Sequence, residues 1–219
     1  DRRVLFVGGT PLYLKGLLHG ISQGPAADWD FRDQIREEIQ QLGEQQGSEL
    51  LHQRLAQVDP LSAHKLHPND TRRIIRALEV YKITGSPISH GQVHFDEPGS
   101  TDRQKIFVLG WPRARLHERI EARVEKMFAS GLEDEVRGLL ERYGQLGRTA
   151  SQAVGYRELI AYLNEQLPMD ETVEQVKCRT RRFARRQETW FRSLNGCRRV
   201  EQADEQEPVA MARQLLEME

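Results

Sequence analysis

The chain has 219 residues, 38% of them hydrophobic and 30% charged, with a formal net charge of −1. That length suits one or two domains with a substantial hydrophobic core, and no run approaches the roughly 20 apolar residues of a membrane span. The two cysteines, Cys178 and Cys197, have no CxxC spacing, which argues against a disulfide framework or zinc site and for a reducing cytosol.

In chain order, Asp1-Arg2-Arg3 runs straight into Val4-Leu5-Phe6-Val7, an apolar strand pattern rather than a signal peptide. The run ends in Gly8-Gly9 and reads as a buried strand of the parallel type. Thr10-Pro11 then opens a helix, with threonine as N-cap and proline at the first helical position. Strand, Gly-Gly turn and helix make half of a βαβ unit. The one candidate partner strand is Lys105–Trp111, KIFVLGW. Two strands make a poor sheet, so further strands are expected upstream of Asp1.

Residues 29 to 85 read as helices only. Phe31, Ile35, Ile39 and Leu42 step at helical spacing up to Gly43; Leu50, Leu51 and Leu55 make a second helix. Asp59-Pro60 starts a third, and Asn69 or Asp70 caps a fourth that ends at Thr84-Gly85. Residues 88 to 103 read as a polar return loop. Arg113 to Tyr143 is helical with a Ser130-Gly131 interruption, and Thr149 to Gly155 is a loop or helix start. Tyr156–Leu167 and Asp170–Leu194 are helices, the last with an apolar stripe of Val173, Val176, Thr180, Phe183, Trp190, Phe191 and Leu194. Charge is segregated along it. Lys177 to Arg199 holds nine basic residues and one acid, Glu188, whereas Glu201 onward holds six acids and only Arg213.

Five constellations could carry chemistry. The Gly8-Gly9-Thr10 turn would place a hydroxyl and a helix N-terminus at the carboxyl end of a strand, where open α/β sheets bind ligands; on local sequence alone a tight turn with a capping threonine is the stronger reading. Arg119 and Arg123, spaced i,i+4, put two guanidiniums on one helix face and could clamp a diphosphate. Alternatively Glu118, Glu121 and Glu125 pair with them as a solvated face. Arg72, Arg73 and Arg76 fan out opposite Ile74 and Ile75 and suit RNA phosphates or plain solvent. In Gln152-Ala153-Val154-Gly155-Tyr156-Arg157, glycine permits close backbone approach, tyrosine can stack on a base and arginine can bind phosphate; the competing reading is a helix start with a packed tyrosine. Arg185 to Arg192 interleaves arginines with Trp190 and Phe191, which suits single-stranded nucleic acid, though both aromatics fit a core stripe. No G-x-x-x-x-G-K-S/T loop, HExxH or GxSxG motif appears, and no pair of acids stands out as acid and base.

Taken together, VGGTPLYLKGLLHG, DPLSAHKLHPNDTRRIIRALEVYKITG, RIEARVEKMFASGLEDEV, AVGYRELIAYL and RRQETWFR resemble the tRNA dimethylallyltransferase family. The resemblance implies an α/β, P-loop-kinase-like core with an incomplete parallel sheet, mostly α in this chain. Residues 1–25 and 100–219 would belong to that core, the latter carrying the basic helix, and 26–99 would be an inserted all-helical tRNA-binding subdomain. It implies transfer of a dimethylallyl group from dimethylallyl diphosphate to N6 of adenosine 37 in tRNA, with Mg²⁺, by a cytoplasmic monomer that grips the anticodon stem-loop. By resemblance Thr10 lines the reaction channel and Arg123 meets the diphosphate; Arg119 joins it as a diphosphate-binding candidate through the i,i+4 spacing alone. Arg32, Arg72, Arg73, Arg76, Gln152, Gly155, Tyr156, Arg157, Arg185, Arg186, Gln187, Thr189 and Arg192 contact tRNA. No metal ligand is expected in this chain. The family's P-loop and its Asp-Ser segment with the general-base aspartate have no counterpart here, so this chain alone is expected to be inactive. An adenylate isopentenyltransferase, a non-catalytic RNA-binding relative and a small-molecule P-loop kinase are the competing identities.

Overall fold

A computed structural model describes residues 4–20, 24–91, 106–194, 196–202 and 207–218. The chain divides into two compact units, Asp1–Pro11 with Asp102–Glu219, and Leu12–Thr101. The division falls after residue 11, whereas the sequence pattern suggests one after residue 25.

The described elements of the Leu12–Thr101 unit are all helices: α1 (Pro11–His19), which starts one residue before the unit, α2 (Trp29–Leu42), α3 (Glu44–Val58), α4 (Pro60–Lys65), α5 (Thr71–Thr84) and α6 (Ile88–Gly91). Local chemistry sets the boundaries. The Asp28 carboxylate accepts from Phe31 N at 3.0 Å and caps α2. Gly43 and Gly85, at φ 83° and 68°, end α2 and α5 in a conformation that side chains resist. Asp59 caps α4 and is itself buried, accepting from Ser62 N and Oγ and from Ser89 N. One carboxylate therefore ties α6 to the start of α4. Ile35, Leu51, Leu55, Ile74, Ile75 and Ala77 form the core. Gly47 lets α2 and α3 cross closely, since a Cβ there would stand 2.8 Å from Ile39 Cα.

The other unit contains β1 (Ile106–Gly110), α7 (Arg113–Ala129), α8 (Leu132–Tyr143), a 3-10 turn (Ala150–Gln152), α9 (Tyr156–Leu163), α10 (Met169–Ser193), β2 (Cys197–Glu201) and α11 (Pro208–Glu217). The strands are parallel, in register from Ile106 opposite Cys197 to Gly110 opposite Glu201. Ile120 and Val124 pack on Val176, and Leu132 and Val136 on Leu159. The proportions are those expected, mostly helix with a small parallel sheet.

Three expectations need correction. Val4 to Val7 is not a buried strand; these residues are 66–88% exposed and belong to no sheet. An apolar run becomes a strand only where neighbours accept its backbone hydrogen bonds, and among the described residues the sheet has β1 and β2 alone. Phe183 is 46% exposed: α10 fully buries Thr172 and Val176 in its first half, and its second half has half-buried and exposed residues but no fully buried one. The polar return loop is helical at Ile88–Gly91, and its remainder lies outside the described residues.

Candidate functional site

The basic helix α10 divides by charge. In its first half every cation has a carboxylate. Lys177 Nζ lies 3.0 Å from both Glu125 and Glu174, Arg179 2.8 Å from Glu158, and Arg181 2.6 Å from Glu121. In its second half Arg182, Arg185, Arg186 and Arg192 are exposed and have no carboxylate partner among the described residues. Arg186 rides over the exposed Phe183 ring at 5.8 Å. Trp190 and Phe191 meet edge to face at 5.6 Å and are half-buried. The exposed Thr189 returns its hydroxyl proton to Arg185 O at 3.0 Å, within its own helix.

Two motifs far apart in sequence meet on this helix. The Gln187 amide donates to Gly9 O, bringing the Gly-Gly-Thr turn to the RRQETW segment. A Cβ on Gly9 would stand 2.7 Å from Gln187 Nε2, so the bare backbone is what admits the amide. Thr10 follows, exposed, directly before α1.

On α7, Arg119 and Arg123 are both exposed. Their nearby acids are drawn elsewhere: Glu118 to Arg115 at 2.7 Å, Glu121 to Arg181 and Glu125 to Lys177 on α10. Among the described residues, then, neither arginine has the surface ion pair that would account for it structurally. Arg119 instead stacks on the Trp111 indole, 4.3 Å from its centroid. Just before Trp111, Gly110 leaves room for the Arg199 guanidinium, whose Nε would lie 3.0 Å from an added Cβ.

Gly155 is buried at φ 97° and starts α9. Its N–H donates to Glu158 Oε2 at 2.8 Å, so its glycine character serves the turn. The Tyr156 hydroxyl donates to Glu135, which raises the phenol pKa, and its ring packs on the Leu132 cluster. Gln152 and Arg157 are exposed. The Arg179 contact with Glu158 is an ion pair only; no hydrogen bond is directed at the buried Oε1.

In the Leu12–Thr101 unit the four candidate arginines separate into two classes. Glu79, fully buried, accepts from Arg32 Nε and Nη2 at 2.7 Å each, from Asp28 N at 2.8 Å, and from Arg76. Arg76 also donates to Pro25 O at 2.9 Å. Burial alone would raise the Glu79 carboxyl, but the hydrogen bonds from Arg32, Arg76 and the Asp28 amide outweigh it and hold the pKa down at about 2. Arg32 further lies 4.8 Å over the Trp29 ring. Arg32 and Arg76 are thus engaged within the protein. Arg72 is exposed and unpaired among the described residues, and Arg73, 74% exposed, reaches Asp70 only at 3.4 Å. Glu79 and Trp111 carry no motif. The one sequence signal for Glu79 is an acid three residues after Arg76 on the apolar side of a helix.

A family model described as IPP transferase matches residues 1–194. The chain is 50% identical over 198 residues to a tRNA dimethylallyltransferase of Rhodopirellula baltica, covering 90% of this chain and 58% of that protein. It is 45% identical over 189 residues to one of Pelotomaculum thermopropionicum, covering 86% and 58%. Among solved structures it resembles the full-length tRNA isopentenylpyrophosphate transferase of Bacillus halodurans, at 31% identity and TM-score 0.54 over 94% of this chain and 61% of that one. A eukaryotic dimethylallyltransferase acting on tRNA shares the fold at TM-score 0.62 and 24% identity, over 95% and 54%. The chain thus spans under two thirds of the length of these relatives, and with the family model matched over residues 1–194 it belongs to the IPP transferase family.

Proposed function

We propose that the protein containing this chain transfers a dimethylallyl group from dimethylallyl diphosphate to N6 of adenosine 37 in tRNA, as a cytoplasmic monomer. The observation that carries this is the charge on α10: Arg182, Arg185, Arg186 and Arg192 stand exposed without carboxylates. Like charges so crowded on one helix repel unless an anion neutralises them. The relatives are named for action on tRNA, which supports tRNA as that anion.

In the transfer the N6 amine attacks the allylic carbon, the carbon–oxygen bond to diphosphate breaks with its electron pair leaving on oxygen, and the amine gives up a proton. The amine is a weak nucleophile and the leaving group gathers negative charge, so catalysis is positioning plus electrostatic stabilisation. Arg123 and Arg119 would meet the departing diphosphate, and Thr10 would line the channel that receives the adenine. Unstacking the adenine requires a few kcal/mol, offset by RNA contacts from Arg72, Arg73, Arg157 and the second half of α10. Mg²⁺ is the counter-ion such chemistry draws on. Among the described residues no group of three or more His, Cys, Asp or Glu could hold a metal ion by itself, and no step here passes through it.

The test is mass spectrometry of an anticodon stem-loop after incubation with dimethylallyl diphosphate and Mg²⁺, using this chain and a full-length protein, with AMP in parallel. Prenyl gain on RNA by the full-length protein is the expected outcome; gain on AMP instead would make it an adenylate isopentenyltransferase. Tight RNA binding with no gain would leave a non-catalytic relative. Arg123→Ala should impair turnover while sparing stem-loop affinity.

A further inference from the structure

We propose that Trp111 is a positioning residue for an anion clamp: its indole face holds Arg119 so that Arg119 and Arg123 together present uncompensated guanidinium edges to a diphosphate. The inference rests on the assignment of Arg123 to the diphosphate above.

A guanidinium can be held in place in two ways. A carboxylate fixes it by consuming its in-plane N–H donors and cancelling its charge. An aromatic face fixes it through the ring quadrupole and leaves both donors and charge available. Arg32 illustrates the first, spending Nε and Nη2 on Glu79. Arg119 illustrates the second, 4.3 Å over Trp111 and exposed. Its helix neighbours four residues away are Arg115 and Arg123, so α7 carries a ridge of like charge that weakens an isolated helix. The acids that could relieve it are withdrawn: Glu118 serves Arg115, Glu121 serves Arg181 and Glu125 serves Lys177. Lys177 and Arg181 thereby keep the Arg119–Arg123 pair uncompensated from the neighbouring helix. The place also fits. Trp111 directly follows β1, at the carboxyl end of a parallel strand, the edge at which α/β sheets receive ligands.

The experiment is calorimetric titration of the chain with inorganic pyrophosphate at low salt, with thermal unfolding of every variant. Trp111→Leu should weaken binding about fivefold to tenfold, and Trp111→Phe, which keeps a smaller ring face, by about twofold to threefold. Arg119→Ala should weaken it about tenfold, and the Trp111→Leu/Arg119→Ala double variant no further, because the indole acts only through that arginine. Additive losses in the double variant overturn the positioning role. Unchanged affinity in Trp111→Leu, alongside lost affinity in Arg123→Ala, overturns it while leaving the diphosphate site intact. A chain that does not bind millimolar pyrophosphate overturns both. If Trp111→Leu fails to fold, Trp111→Phe decides: it must lower affinity when Arg119 is present and have no effect once Arg119 is alanine.

Discussion

The arginines of Arg32–Arg76 and those of the second half of α10 have the same chemistry and opposite situations. Arg32 and Arg76 converge on one buried carboxylate, Glu79. Arg182, Arg185, Arg186 and Arg192 face solvent with no carboxylate partner among the described residues. The difference teaches that a basic motif is a set of donors, and that function depends on which donors the fold has already used. Engaged arginines should show up in stability, and disengaged ones in RNA affinity and its salt dependence.

The largest effect should follow from removing Glu79. Glu79→Ala leaves two guanidiniums facing a buried, unpaired site, and breaking such a pair costs about 3–5 kcal/mol. Thermal and urea unfolding will read this directly. An RNA affinity loss with unchanged unfolding would break the comparison, making Glu79 an organiser of the RNA surface rather than of the fold. The pH dependence has a definite sign. The carboxyl sits at about 2, below its ordinary 4.5, so its stabilisation is fully present above about pH 4.5. It is lost as pH falls from there through about 2, and amounts to about 3 kcal/mol by linkage. Asp28 and Glu38 are also held low, by hydrogen bonds from Phe31 N and from Arg54, and Asp59, which burial alone would raise, is held low by those from Ser62 and Ser89; all four lie in the Leu12–Thr101 unit. Hydrogen exchange between pH 5 and 3 should therefore show that unit opening before the other.

Next in size is the disengaged side. Arg185→Ala/Arg186→Ala should weaken stem-loop binding and lower the salt slope of log affinity by about two, one for each lost phosphate contact. The unfolding midpoint should stay put, because no ion pair within the protein is lost. A matching contrast lies within α5. Arg72→Ala should reduce RNA affinity with stability unchanged, whereas Arg76→Ala should destabilise by about 1–3 kcal/mol through its buried partner. Reversal of that pair of outcomes would show that engagement in the free protein does not predict role.

Much of this was legible in the sequence, and the failures have physical causes. Helix boundaries are local matters of capping and periodicity, so α2, α4 and α5 read correctly from Gly43, Asp59-Pro60 and Gly85. β2 was not legible: Cys-Arg-Arg-Val-Glu holds one buried apolar residue, Val200, and becomes a strand by pairing with β1 ninety-one positions earlier in register. Val4 to Val7 erred in the other direction, an apolar run that pairs with no strand among the described residues. The candidate arginines were visible as motifs, but apart from the local Arg76–Glu79 pair their engagement was not, because the deciding partners are remote. Glu79 lies 47 residues from Arg32, and Glu121 lies 60 from Arg181. Periodicity carries no information over such separations.

The smallest effect is the most discriminating for Tyr156, which is half engaged. Its hydroxyl donates to Glu135 while its ring packs on the Leu132 cluster. Tyr156→Phe removes only the hydrogen bond and should cost about 0.5–1.5 kcal/mol. The phenol is held neutral, its pKa raised by that bond, so the contribution is present below about pH 10 and lost as pH rises through the folded-state value. Base stacking needs only the ring face. Tyr156→Phe should therefore leave stem-loop affinity intact whether or not the ring meets RNA, and Tyr156→Leu separates the two cases. Leucine fills the packing site without a π face. A loss of affinity beyond the loss of folded protein would put Tyr156 on the RNA. Equal affinity per folded molecule would place it wholly with the core, on the same side of the comparison as Arg32 and Arg76.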